Sequence, residues 1–164
     1  MVSPIILSGS QGPRFFFNLD ANVGPDSPNR PDDVQLVQMG FQAMARNPLF
    51  RPKDPKDEQI LRRALGDPDI TPGRHYGGGR NEVLSLVINL YQAFRGDGSV
   101  KDGHVSVIRG TTGSYDNVHS YLLIPMNNSL MDVNRRSFPR LDLLPECPTQ
   151  LRSAIQKMLL GGVG

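Results

Sequence analysis

Residues 29–47, with the sequence NRPDDVQLVQMGFQAMARN, carry well-defined signals for a helix. Apolar residues recur in it at three- and four-residue spacing, which predicts a helix with one buried stripe. The stripe consists of Val34, Val37, Phe41 and Met44. We expect Asn29 to cap this helix and Pro31 to occupy its first turn, where the restricted φ of proline is favourable. The helix should end near Asn47, because Pro48 follows and the residue before a proline avoids the helical region.

Three more helices are predicted by the same signals. One should run from about Lys56 to Leu65 and stop at Gly66. Another should begin with Asn81 as its cap and end at Gly96, and a last one should begin with Thr149 as its cap. The predicted buried faces are Ile60, Leu61, Ala64 and Leu65 on the first of these, and Val83, Val87, Leu90 and Phe94, broadened by Leu84, Leu86 and Tyr91, on the next.

Short β-rich segments flank the helical part of the sequence. Residues 14–19 (RFFFNL) are a dense aromatic run typical of a strand or a buried edge segment, and residues 105–108 and 121–124 also resemble strands. A turn-rich stretch joins the last two. The sequence therefore predicts an α+β fold that is mainly helical, with a three-helix core, a small β element and a C-terminal helix.

Composition and charge exclude several classes of protein. The 164 residues contain 18 Lys and Arg against 16 Asp and Glu, without the dense basic patch that phosphate neutralisation requires, so nucleic-acid binding is not expected. No apolar run is long enough to span a membrane. The run at residues 4–7 is too short for a signal peptide and has no basic segment before it. We expect a soluble chain made in the cytoplasm without a classical signal; export by another route and assembly into a particle are the alternatives.

The chain offers little of the chemistry that catalysis or metal binding needs. Cys147 is the only cysteine, so neither an intramolecular disulfide nor a cysteine-based metal cage is expected. The three histidines, His75, His104 and His119, lie in separate segments without metal-ligand spacing. The glycine run at 77–79 lacks the lysine of a phosphate-binding loop. We therefore expect no enzyme activity, no catalytic residue, no metal and no cofactor.

Three pieces of the sequence are more informative together than apart. The first is VG at 23–24 followed by NRPDDVQLVQ at 29–38, the second is GGRN at 78–81 followed by VINLYQ at 87–92, and the third is DGSVKDG at 97–103. Their order resembles the peptidoglycan-binding-like domain. That family has an opening helix with a D-V-x-x-[LV]-Q pattern and a glycine turn with a helix-capping Thr. A second long helix ends in an aromatic–Gln pair and a D-G-x-V turn closes the domain.

The resemblance covers about residues 23–103 and implies a small three-helix core. Asn81 would take the place of the capping Thr, and Tyr91 with Gln92 would stand for the usual Phe-Gln pair. The chain then divides into an N-terminal aromatic strand or arm (1–22), a peptidoglycan-binding-like helical core (23–103) and a β-containing extension with a C-terminal helix (104–164).

Function follows from the resemblance as a set of expectations. The first is a non-catalytic binding or adaptor module that acts at the bacterial cell wall or within a wall-facing assembly. The alternatives are a structural or docking subunit of a phage tail or contractile secretion apparatus without glycan binding, and a small cell-wall hydrolase. Partners would be peptidoglycan or other protein subunits, and the chain could oligomerise. The candidate ligand-binding residues are Tyr76, Arg80, Asn81, Tyr91 and Arg95.

Overall fold

The computed structural model describes residues 1–95, 101–109, 114–116 and 121–161. Within these ranges the chain forms five α-helices and one antiparallel two-stranded sheet, which confirms the predicted α+β class with mainly helical content. The elements are β1 (Ser3–Leu7), β2 (Arg14–Asn18), α1 (Pro31–Arg46), α2 (Glu58–Leu65), α3 (Val83–Phe94), α4 (Leu123–Val133) and α5 (Thr149–Leu159). No helix in the described residues is both long and apolar enough to cross a membrane.

Helix α1 is the centre of the fold. It runs over Pro31–Arg46, as its start and stop signals predict, and α2, α4 and α5 all pack against it. A helix contacted on several sides is buried around most of its circumference. Every residue from Asp33 to Phe41 is accordingly buried, including the polar Gln35 and Gln38. The buried surface of α1 is therefore wider than the single stripe that the sequence predicts.

The predicted cap of α1 is wrong. Arg30, not Asn29, occupies the capping position, and it makes no side-chain capping bond. Asn29 instead has a φ of 49° and turns back to Gly24, whose N–H donates to Asn29 Oδ1 at 2.8 Å and whose carbonyl accepts from Nδ2 at 2.8 Å. The asparagine tolerates this left-handed conformation and stabilises the preceding turn rather than the helix.

The sheet lies against α4 through one buried amide. β2 confirms the predicted aromatic strand, and β1, which the sequence did not predict, pairs with it in antiparallel register from Ser3 opposite Asn18 to Leu7 opposite Arg14. On the other edge of β2, Phe17 N–H donates to Asn127 Oδ1 at 2.8 Å and Phe17 O accepts from Nδ2 at 2.9 Å. The amide of α4 thus replaces a third strand.

Both strands predicted in the C-terminal extension are wrong. Residues 121–124 lead into α4, because a short apolar run is as compatible with a buried helix as with a strand, and Pro125 suits a first helical turn. In the 105–108 segment only Val105 forms a bridge, to Val23, with N···O distances of 2.8 and 3.0 Å. The amides of the next residues bond to side chains instead, as in Ile108 N–H to Asn18 Oδ1 at 2.9 Å.

Three details of the remaining helices also differ from the predictions. Helix α2 ends at Leu65 as predicted but begins at Glu58, after a 3-10 turn at Pro55–Asp57. Ile60 is 56% exposed, whereas Leu61 and Leu65 are buried. Helix α5 begins at Thr149, which therefore does not cap it. The predicted stop of α3 at Gly96 lies outside the described residues.

The start of α3 and part of its buried face differ from the predictions. Its cap is Glu82 and its first residue is Val83, so Asn81 lies before the helix. Leu84, Val87 and Tyr91 are buried as predicted, and Ile88, which was not predicted, is buried with them. Leu90, predicted as core, is only half-buried.

Candidate ligand-binding site

A cavity of about 780 Å³ opens between the turn that joins the strands and the ends of two helices. Four parts of the fold line it. They are the β1–β2 connection and the start of β2 (Ser10, Gln11, Arg14), the segment after α1 (Asn47 and Leu49–Lys53), the end of α3 (Tyr91, Phe94, Arg95), and α4 (Pro125, Asn128, Ser129, Met131, Asp132). Leu61, Tyr115 and Asp116 complete the described lining.

Aromatic rings form much of the cavity wall. They are Phe50, Tyr91, Phe94 and Tyr115. The rings of Phe50 and Tyr91 lie 6.0 Å apart between centroids, with their planes tilted by 33°. Tyr91 is 6% exposed, and this burial raises the pKa of its hydroxyl to about 12, although the nearby Arg95 lowers it. Tyr91 therefore stays protonated at neutral pH.

Arg62 on α2 holds Phe50 in the cavity wall. Its guanidinium lies 5.9 Å from the centre of the Phe50 ring and donates to the Phe50 carbonyl. The same group donates to the carbonyls of Met44 and Ala45 at 3.1 Å, where α1 ends. Carbonyls in the last turn of a helix lack an N–H partner four residues on. The arginine satisfies the Ala45 carbonyl and joins Asn47 N–H on the Met44 carbonyl, while it positions the segment that follows.

Four basic side chains surround the rings. Arg14 lies 4.9 Å above the centre of the Tyr115 ring and donates to Gln11 Oε1. Arg95 lies 5.7 Å from the centre of the Tyr91 ring, and burial lowers the pKa of its guanidinium. The other two are Arg51, paired with Glu58 at 3.1 Å, and the exposed Lys53. Two of the four cations are therefore stacked beside aromatic faces of the cavity.

The two carboxylates in the lining are engaged by protein groups. Asp116 accepts from Ser10 N–H at 2.6 Å and from Ser10 Oγ at 3.1 Å. Asp132 accepts from Asn47 Nδ2 at 3.1 Å, and Asn47 Nδ2 also donates to Ser129 Oγ at 3.0 Å. Both carboxylates therefore stabilise the cavity wall.

The structure separates the five predicted site residues. Tyr91 and Arg95 both line the large cavity, where Arg95, the first residue after α3, lies beside the Tyr91 ring. Tyr76 and Asn81 line a second cavity of about 500 Å³, where the hydroxyl of Tyr76 is 2.6 Å from Ser85 Oγ. Arg80 lines neither cavity and forms an exposed ion pair with Asp26 at 2.8 Å.

The two glutamines of the family-like motifs organise loops. Gln38 accepts from Gly73 N–H at 3.0 Å and donates to the carbonyl of Arg74 at 2.8 Å. Gln92 accepts from Gly103 N–H at 2.8 Å and donates to the carbonyl of His104 at 3.1 Å. Each buried side chain thus connects a long loop to its helix.

Cys147 and His104 do not line this cavity. Cys147 is buried, which raises the pKa of its thiol to about 11, the opposite direction from that of a reactive thiolate. His104 Nε2 lies 2.6 Å from the carbonyl of Pro25, and His119 lies outside the described residues. Across the described ranges, no three His, Cys, Asp or Glu side chains come together in a way that could hold a metal ion.

Comparison with known proteins adds no relative to this description. No family model matches the chain, and neither the curated proteins nor the solved structures contain a match.

Among the residues that line the large cavity, only Tyr91 and Arg95 were predicted as site residues. Arg14 was part of a predicted strand, Phe50 of a proline-rich loop, and Tyr115 of a turn-rich stretch. The stacking of Arg14 on Tyr115 joins residues a hundred positions apart, so no local pattern indicates it. The aromatic residue at position 50 between two prolines was the one available signal, because an apolar ring in a loop must either find a core or line a site.

Proposed function

We propose that the chain is a non-catalytic binding module that acts at the bacterial cell wall or within a wall-facing assembly. The observation that carries this proposal is the large cavity, which combines four aromatic rings with four basic side chains. Concave sites lined by rings and a few polar groups are the usual form of a small-ligand site. The resemblance of residues 23–103 to the peptidoglycan-binding-like domain supports a wall glycan as the ligand.

The hydrogen bonds of the carboxylates in the cavity favour binding without catalysis. Asp116 and Asp132, the carboxylates that could act as acid or base, accept hydrogen bonds from Ser10 and Asn47. Tyr91 is held as a protonated phenol by burial. Both carboxylates thus have structural partners in the cavity wall, which favours a binding role over acid–base catalysis.

Sedimentation with purified peptidoglycan sacculi tests the proposal. The full chain should pellet with sacculi at low salt, and Phe50→Ala should weaken this binding several-fold by removing a ring that contributes to the cavity wall. Leu86→Ala is the matched control, because it removes an exposed apolar side chain of α3 that does not line the cavity. Absence of wild-type sedimentation, or equal losses in both variants, would contradict the proposal.

A structural or docking subunit of a phage tail or contractile secretion apparatus is the second candidate. The observation that favours it is Ile6, which is 59% exposed on β1, a strand that pairs with a single neighbouring strand within the described residues. Exposed apolar residues on an edge strand are suited to contacts between subunits. Light scattering tests this candidate: concentration-dependent association that Ile6→Lys abolishes would favour it, and a strict monomer at all concentrations would contradict it.

A further inference from the structure

The composition of the cavity points to the charge of its ligand. We infer that the cavity selects a saccharide ring that carries a carboxylate, and that Arg14 and Lys53 bind this carboxylate. The inference rests on the proposed binding function and extends it to the chemical class of the ligand and to the residues that determine specificity.

The first argument is the unequal charge of the lining. Four basic and two acidic side chains surround the space, and one of the basic ones, Arg51, is neutralised by Glu58 at 3.1 Å. Arg14 and Lys53 have no carboxylate within ion-pair distance in the described part of the chain. Their positive charge is therefore available to a ligand.

The geometry of Arg14 is suited to a carboxylate in particular. Its guanidinium lies on the Tyr115 ring, and Gln11 takes up one of its donors. A guanidinium has five N–H donors in a planar fork, so donors remain that can hold both oxygens of one carboxylate. The tyrosine ring restricts the arginine to its plane and reduces the conformational freedom that binding would remove.

One ring and one amide supply the rest of the site. Phe50 is half-buried in the cavity wall and has an apolar ring of the kind that contacts the C–H face of a sugar. Asn128 of α4 lines the same cavity, is half-buried, and makes no side-chain hydrogen bond within the described residues. Its amide can donate to and accept from a hydroxyl or acetamido group. A ring with an anionic substituent matches all three features.

Two soluble probes separate the contribution of the carboxylate from that of the ring. N-acetylmuramic acid has the same ring as N-acetylglucosamine and adds a lactyl ether with one carboxylate. In titrations of the full chain followed by amide NMR shifts at low salt, we expect N-acetylmuramic acid to bind at least fivefold more tightly. The advantage should shrink at 0.5 M salt, a concentration that screens charges on a length of roughly 4 Å.

Variants of Arg14 and Lys53 test whether these two residues cause the tighter binding of N-acetylmuramic acid. The advantage should fall below twofold in the double variant Arg14→Gln/Lys53→Gln and persist in Lys53→Arg, which keeps both charges and the planar fork of Arg14. Arg80→Gln removes an exposed arginine outside the cavity and should leave the advantage unchanged. Thermal melting establishes that each variant is folded.

The outcomes distinguish this inference from the proposed function. Equal affinity for the two sugars, no binding of either sugar, or an advantage that survives the double Gln variant would overturn the inference. If sacculi still sediment with the chain in that case, the binding function stands and only the assigned ligand class fails. Failure of the chain to sediment with sacculi would contradict both the proposed function and this inference.

Discussion

At the scale of single residues, Asp33 is a carboxyl buried in the core of the fold. It is 0% exposed and accepts the N–H groups of Asp20 and Ala21 at 2.9 and 3.0 Å, which ties the segment after β2 to the first turn of α1. Burial raises the pKa of its carboxyl to about 6, with a smaller raising effect from Asp32, although both N–H donors and the N-terminal amine lower it. The residue thus changes charge in a range where most carboxylates are already ionised.

This pKa predicts how Asp33 affects stability across pH. A folded-state pKa of about 6 against an ordinary value of 3.8 means that the folded chain holds a proton that the unfolded chain has lost. The contribution of Asp33 to the free energy of unfolding should therefore decrease between about pH 4 and pH 6, by about 3 kcal/mol in total. Asp33→Asn should remove this pH dependence from urea unfolding curves. A carboxyl carbon NMR titration of Asp33 with a midpoint below 4 would contradict the prediction.

The candidate site shows what can be predicted at the residue scale. Tyr91 was identified from the sequence as a ring that could stack on a sugar, and the structure places it in the wall of the large cavity with Arg95 beside it. Tyr76 was identified for the chemistry of its ring, but its hydroxyl is already engaged with Ser85. Lys53 and Tyr115 reach the cavity only through the tertiary fold. A sequence therefore indicates which side chains could bind a ligand, but not which of them the fold brings together.

At the scale of elements, the helices with clear end signals were predicted well. α1 lies between two prolines that restrict the backbone, so its limits follow from local sterics. α4 was missed because residues 121–124 are an apolar run without clear periodicity and because buried polar residues such as Asn127 disguise the helical pattern. Its role, to satisfy the open edge of β2, depends on a partner more than a hundred residues away.

Contact between α1 and α4 depends on the glycine at position 40. A Cβ added to Gly40 would lie 2.9 Å from Met126 Cγ and 3.0 Å from Met126 Cβ. Alanine would gain about 1 kcal/mol of helix propensity, but forcing a methyl group into a packed interface costs roughly 1–3 kcal/mol. We expect Gly40→Ala to lower the free energy of unfolding in urea denaturation, because the clash involves the Cβ of Met126 as well as its flexible end.

A double-mutant cycle identifies the cause of this loss. Met126→Ala alone should cost about 2–5 kcal/mol by leaving a cavity. Gly40→Ala in that background should cost less than in the wild type, with an interaction energy of roughly 0.5–3 kcal/mol. Additive losses would show that the glycine does not set the distance between these helices.

At the scale of the whole molecule, the two ends of residues 23–105 contact each other, but the core of this segment includes helices from outside it. The bridge between Val23 and Val105 and the bond from His104 to the carbonyl of Pro25 join its two ends. Yet α4 and α5, both from the C-terminal extension, pack against α1. The buried apolar cluster is continuous and includes Phe17 of β2 and Leu151 of α5.

We therefore expect residues 23–105 not to fold alone. Cutting the chain there would expose the faces of α1 that α4 and α5 cover, and helices of this length are marginal in water without tertiary packing. The fragment should show reduced helical circular dichroism, no cooperative melting and poorly dispersed amide NMR signals. The full chain should unfold in one transition, seen at the same urea concentration by circular dichroism and by labelling of the buried Cys147 thiol. A fragment that melts cooperatively near the temperature of the full chain would instead establish residues 23–105, which contain the region of family resemblance (about 23–103), as an autonomous unit.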